Sequence, residues 1–226
     1  MHTSMTKESL LKRVFDKDPV LIIAGPLQSG KTTQTQLFKE SFKQLHPEKD
    51  LFTVSLEEEL EKELPNFPPW AIKKIKEVKD IGGSQPVCIE SMLWTKKVLY
   101  EHKEGPILIE GSPTSYGAAS AMLEFFNTLE KKVFMLHLNI SEEEMIRRTM
   151  ARNEVLLKNG FHINEDCTTE KKIKSKLNFY DSHVTPGIRK FSACSKAVLL
   201  SFESKRDSDP KLIHLEILKS IAYQHH

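Results

Sequence analysis

Arginine is scarce in this 226-residue chain: of 33 basic residues only six, Arg13, Arg147, Arg148, Arg152, Arg189 and Arg206, are arginine. The guanidinium is the side chain that grips phosphate or carboxylate bidentately, so an anion site must use one of those six places or be built from backbone and lysine. Cysteine is scarcer still. Cys88, Cys167 and Cys194 are odd in number, far apart and never in a C-x-x-C pair, which suggests neither a disulfide framework nor a zinc site and fits free thiols in a reducing compartment. No apolar run approaches the ~18 residues of a membrane span, and the polar start from Met1 to Lys7 lacks the apolar core of a secretory signal. The cytoplasm is the expected location. A net charge of +2 excludes the field of a general nucleic-acid or membrane-surface binder. What is present is ordinary globular composition, 39% hydrophobic and 28% charged, enough to bury a core. No repeat, low-complexity tract or clear linker divides it, so one monomeric domain spanning residues 1–226 is expected.

Val20 to Ala24 is a short, wholly apolar run closed by Gly25-Pro26, the pattern of a strand buried on both faces of a parallel sheet. From Thr32 to Leu45, Leu37, Phe38, Phe42 and Leu45 share one helical face. Further strands are expected at Leu51 to Val54, Ile107 to Ile109, Val133 to Leu138 and Ala197 to Phe202, alternating with helices. The fold class is therefore α/β, a five-stranded parallel sheet with helices on both faces. Residues 56–103 are helical in pattern but interrupted by Pro65, Pro68, Pro69, Gly82, Gly83 and Pro86, and read as a small helical insertion. Apolar periodicity disappears over 159–169, between helices at Glu142 to Lys158 and Glu170 to Phe191, and predicts a lid-like loop.

Gly25-Pro26-Leu27-Gln28-Ser29-Gly30-Lys31-Thr32 fits G-x-x-x-x-G-K-[ST] at every fixed position, after a strand and before a helix. In that context the glycines allow the turn, backbone N–H groups and the helix N-terminus receive phosphate oxygens, and Lys31 adds a charge between the β- and γ-phosphates. Thr32 or Thr33 can offer a hydroxyl to Mg²⁺. Glu110 ends the third strand, where a carboxylate either orients Mg²⁺-bound water or serves as a solvated strand-end acid. Arg148 and Arg152, four apart on one helical face, can meet phosphate oxygens, or pair with acids such as Glu142 to Glu144. His137 reads as a satisfied core histidine, and Trp70 and Trp94 as packing residues.

These residues resemble the adenylate kinase, or nucleoside monophosphate kinase, family over nearly the whole chain. Its G-x-P-G-S-G-K-G-T-Q loop is similar to Gly25 to Gln34, with Ser29, Gly30, Lys31, Thr33 and Gln34 matching. Its D-G-F-P-R-T-x-x-Q-A pattern is similar to Glu110 to Ala119, its paired arginines to Arg148 and Arg152, and its downstream helix to Glu170, Ile173, Lys176, Leu177, Tyr180 and Pro186. The resemblance implies transfer of the γ-phosphoryl of Mg·ATP to a nucleoside monophosphate. It implies Gly25, Gln28, Ser29, Gly30, Lys31, Thr32 and Thr33 as the donor loop, Lys31, Arg148 and Arg152 as catalytic cations, and Thr32 and Glu110 near the metal. It places the acceptor by Ser55, Glu57, Thr114 and Ala118 in and beside the 56–103 insertion, and Asp166 and Lys176 at the lid.

The departures from the family pattern collect in the acceptor half. The arginine that holds the monophosphate is Thr114 here, the glutamine that reads the adenine edge is Ala118, and T-G-D-x-x-R reads Ser55 to Leu60. The lid arginine falls among Phe161, His162 and Asn164. Losing cations that neutralise transferring phosphates removes transition-state stabilisation. Weak turnover of AMP is expected, and a degenerate kinase that binds ATP without catalysis is the alternative. A GTPase N-K-x-D motif and the thymidylate kinase D-R-Y/H signature are both absent.

Overall fold

The computed structural model describes residues 6–80, 83–163, 167–205 and 208–224. Five strands, β1 Val20–Ala24, β2 Phe52–Ser55, β3 Ile107–Glu110, β4 Val133–Asn139 and β5 Ala197–Glu203, form one parallel sheet in the order β2-β3-β1-β4-β5. The expected strands are all present, each ending one residue further on than its apolar run except β1, because the last ladder pairs, such as Ser55 with Glu110, involve polar residues at the sheet's edge.

The helices are α1 Lys7–Phe15, α2 Lys31–Leu45, α3 Leu56–Glu63, α4 Pro69–Asp80, α5 Val87–Glu101, α6 Tyr116–Thr128, α7 Glu142–Lys158, α8 Glu170–Phe179, α9 Thr185–Lys190 and α10 Pro210–Tyr223. Side chains alternate across the pleat. Leu21 and Ile23 of β1 join α1, α2 and α10 in one core layer, while Val20, Ile22 and Ala24 join α5, α6 and α9 in the other. Both faces are covered, which is why β1 is apolar at every position.

The expected single helix from Glu170 to Phe191 is instead α8, a π-helical turn at Tyr180–Val184, and α9. Pro186 explains the break: it has no N–H to donate back along the helix, and its ring crowds the preceding turn. The insertion packs through α3 and α5, where Lys97 pairs with Glu59 at 3.1 Å and Lys96 with Glu63 at 2.7 Å. Trp94 is buried there against Phe125 and Phe126, whereas Trp70, expected to pack, is 75% exposed. Its place on the second residue of α4 points it away from either core layer. No helix among the described residues is long and apolar enough to cross a membrane.

The chain leaves β1 through α2 towards β2 and leaves β3 through α6 towards β4, on opposite faces of the sheet. A crevice opens at such a switch, outside the carboxyl ends of the strands. The segments leading out of β1 and β3 are those that begin at Gly25 and Gly111.

Candidate functional site

Gly25 is fixed by packing: a β-carbon there would lie 2.5 Å from the Leu138 carbonyl oxygen. Beyond it, Gln28 at φ 61° and Gly30 at φ 98° adopt left-handed backbone, which curls the loop and turns successive N–H groups towards its inside. Ser29 is buried, its Oγ without a hydrogen-bond partner. α2 then starts with no side-chain cap and no acid in its first turn, in contrast to α1, α3, α6, α7, α8 and α10, each capped by Ser, Thr or Asp. Its first N–H groups and the positive end of its dipole are left for an external anion.

The Lys31 ammonium folds under this loop and donates to the Gly25 and Pro26 carbonyls, both at 2.8 Å. Burial pushes its pKa down to about 8, against the opposing pull of Glu110. A cation held only by neutral carbonyls gains from a nearby anion. Thr32 Oγ1 donates to Glu110 Oε1 at 2.7 Å, bringing a hydroxyl and a carboxylate from β3 together beside the loop. Such hard oxygen donors suit Mg²⁺, which keeps most of its waters and takes few protein ligands. On the outer side, a groove of about 260 Å³ runs past Gly30, Thr33, Gln34, Leu138, Arg148 and Ser204.

Arg148 is placed differently from the phosphate-gripping role expected of it. Its Nε donates to Glu144 at 2.6 Å, one terminal nitrogen to the Gln28 carbonyl at 3.2 Å and Ser204 Oγ at 2.8 Å, and the other to the Lys205 carbonyl at 2.8 Å. The guanidinium therefore ties the loop before α2 to the segment after β5. Glu144 also accepts two bonds from Arg147. Those bonds, opposed by desolvation and helped by Arg148, hold the Glu144 carboxyl down to about 2. Pairing with the acids at the start of α7, the plainer of the two readings of this arginine, is what the fold contains. Arg152 is exposed and makes no hydrogen bond or ion pair among the described residues.

On the inner side lies a cavity of about 160 Å³ bordered by Gly25, Lys31, Ser112, Thr114, Tyr180 and Val184. Here the expected acceptor residues separate. Thr114 Oγ1 and Ser112 Oγ both donate to the Glu90 carboxylate, as does the Thr114 N–H at 3.0 Å. Glu90 is fully buried, and burial raises its pKa while those three donors lower it. Ala118 is also fully buried, on the first turn of α6 where its N–H donates to the Ser115 cap. Ser55 caps α3 by accepting the Glu58 N–H at 3.4 Å, and Glu57 stands exposed beside it. Lys176 is half-buried on α8, and Asp166 lies outside the described residues.

Two groups escaped the sequence reading. Glu90 carried a signal, a lone acid among Ile89, Met92, Leu93 and Trp94. Tyr180 carried one as well, its match to the family's downstream helix, but nothing local in the chain shows that its hydroxyl lies buried without a partner at the cavity's edge, where a π-helical turn places it. His137, stacked on Tyr180 with ring centroids 6.0 Å apart, is not the satisfied core residue expected: its Nε2 is buried and unpartnered. Burial lowers its pKa.

No family model matches the chain. Among curated proteins it is similar to an adenylate kinase of Chlamydia pneumoniae, 25% identical over 221 residues covering 91% of this chain and 98% of that protein. It is also similar to an adenylate kinase of Methanothrix thermoacetophila, 24% identical over 144 residues and 63% of each chain. A third, an adenylate kinase of Leptospira biflexa, is 22% identical over 174 residues, 76% of this chain and 86% of that protein. The chain is thus similar to one adenylate kinase over nearly its whole length and to two others over part of it, and it has the five-stranded parallel sheet with a glycine-rich loop after β1 that the resemblance implies.

Proposed function

We propose that this protein is an ATP-dependent phosphotransferase of the adenylate kinase type, which takes the γ-phosphoryl of Mg·ATP and passes it to an acceptor bound between the turn after β3 and the 56–103 insertion. The observation that carries the reading is the loop at Gly25 to Thr33, with Lys31 folded against its carbonyls and the α2 N-terminus left uncapped. In this reading the Lys31 ammonium leaves those carbonyls for the β- and γ-phosphate oxygens, and the loop N–H groups hold the β-phosphate. Thr32 and Glu110 would hold Mg²⁺, which when bound neutralises charge on the phosphates. Gly30, Thr33 and the outer groove receive the nucleoside end of the donor. Arg152, exposed and without a hydrogen bond or ion pair among the described residues, is the guanidinium left to meet the phosphates, while Arg148 holds the loop to the segment after β5; the 159–169 segment expected as a lid lies partly outside the described residues.

A second reading, an ATP-binding protein without transfer, is favoured by one specific observation, the commitment of Thr114 and Arg148 to protein partners. Titration of Mg·ATP by calorimetry, followed by an ADP-release assay across acceptors, separates the two. ATP binding with ADP release supports the kinase; binding without release for every acceptor supports the module. Lys31→Ala should weaken ATP binding about ten- to a hundredfold, the value of one charge-assisted contact of roughly 1.5–3 kcal/mol. Equal affinities for wild type and variant would remove the loop as the donor site.

A further inference from the structure

The phenol of Tyr180 departs from the rule that buried polar groups are hydrogen-bonded. Its hydroxyl is buried without a partner among the described residues, and leaving it so costs folding free energy. A polar neighbour stands at hand and is not used. His137 stacks on the Tyr180 ring with centroids 6.0 Å apart and planes 20° from parallel, so the two rings meet by their faces, and the His137 Nε2 is left unpartnered too. The ring is carried by the π-helical turn at Tyr180–Val184, an irregularity frequent at functional sites.

Tyr180 borders the inner cavity of about 160 Å³ together with Gly25 and Lys31 of the loop and Thr114 of the turn after β3. Of the polar side chains around that cavity, Ser112 and Thr114 donate their hydroxyl protons to Glu90, and Lys31 gives two N–H groups to the Gly25 and Pro26 carbonyls. The Tyr180 hydroxyl and the third Lys31 N–H are the side-chain donors left, beside apolar walls that include Ile23, Ala24, Pro113 and Val184. Charges of both signs reach this corner: Arg189 acts on His137 against Asp181 and Glu203, and Lys31 stands at the loop. Net field therefore does not choose the ligand, and hydrogen bonding does. Tyr180 stays protonated, because burial first and Asp181 second push its ionisation upward, so it always has a proton to donate. A bond from such a donor to an anionic oxygen is about twice as strong as one to a neutral acceptor.

We infer that Tyr180 is a ligand-contacting residue whose hydroxyl donates to an oxygen of the γ-phosphoryl group beside Lys31. The inference rests on the phosphotransferase reading above, in which that group lies between the loop and the place of the acceptor. It gives the orphaned phenol a partner that arrives only with the triphosphate, and it separates ATP from ADP by one hydrogen bond.

Tyr180→Phe removes the hydroxyl and keeps a ring to stack on His137. Calorimetry on the full chain measures the binding of Mg·ATP, Mg·ADP and AMP to wild type and variant, and thermal unfolding of both is followed without ligand. Expected is a Kd for Mg·ATP about tenfold higher in the variant, the worth of one hydrogen bond to a charged group, with the Kd for Mg·ADP within twofold. The ligand-free variant should unfold at the same Tm or above it, because a buried hydroxyl without a partner has been deleted. A lowered Tm or loss of the fold, with ATP and ADP weakened alike, would show that the hydroxyl serves the fold and overturn the inference. An unchanged Kd for Mg·ATP overturns it as well, and a rise confined to AMP would assign the contact to the phosphate of the acceptor instead. Wild type that binds no ATP is a distinct failure, that of the Gly25 to Thr33 loop as the donor site.

Discussion

A single buried carboxylate, Glu90, holds two residues that border the inner cavity, Ser112 and Thr114. Position 114, where the family pattern has arginine, is a threonine whose hydroxyl and N–H are both spent on Glu90. An arginine introduced there meets Glu90 before it meets a ligand, and a close ion pair neutralises the charge it was meant to supply. Thr114→Arg alone is therefore expected to raise kcat/KM for AMP less than threefold. The double variant Glu90→Gln/Thr114→Arg frees the guanidinium and should raise it about ten- to a hundredfold, the worth of one arginine–phosphate contact of roughly 1.5–3 kcal/mol. Steady-state kinetics on the two variants check this, and equal gains would show that Glu90 does not hold residue 114.

Two ties between elements set the outer side of the site. Arg148 of α7 reaches the Gln28 carbonyl in the loop before α2 and Ser204 and Lys205 after β5. Arg148→Ala leaves Glu144 its bonds to Arg147 but strips partners from the loop, so a loss of about 1.5–3 kcal/mol is expected from the urea midpoint, with weaker ATP binding alongside. The second tie is His214 of α10. Its ring bonds Ser41 at 2.9 Å and Gln34 at 3.1 Å on α2, and Gln34 donates to the Pro210 carbonyl at 2.9 Å. Burial, aided by Lys7 and opposed by Glu40, lowers its pKa to about 4. The unfolded chain then takes up this proton before the folded one does. Stability contributed by the neutral ring is complete above about pH 6.5, falls as pH drops below that value and levels off below about 4, a total of about 3 kcal/mol. His214→Gln cannot titrate. Urea unfolding at pH 7 and pH 5 should show a smaller loss for the variant than for wild type, and identical losses would mean the ring is charged in the fold.

At the scale of the whole molecule, the two core layers hold the sheet while the crevice at its carboxyl edge is bordered by loops and by the turn at Tyr180–Val184. A ligand that binds only the folded chain stabilises it by mass action, about 2.7 kcal/mol at a hundredfold excess over Kd. For a chain of this size Mg·ATP at that excess should raise Tm by about 5–10 °C, with AMP at the same concentration giving a smaller shift. A larger shift from AMP, read by differential scanning fluorimetry, would place the tighter site on the acceptor side. The sequence by itself determined the alternation of strands and helices and the loop at Gly25 to Thr32, because a wholly apolar run, a helical period and a fixed glycine–lysine spacing are local properties of the chain. It also marked position 114 as lacking its cation. Only the tertiary structure decided what the polar groups do. Glu90 meets Thr114 across 24 residues of sequence, Arg148 meets Gln28 across 120, and Tyr180 reaches the cavity through a π-helical turn. The partner of a polar side chain is chosen by which strands lie side by side and which helix faces pack, and strand order and packing depend on contacts between segments far apart in the chain.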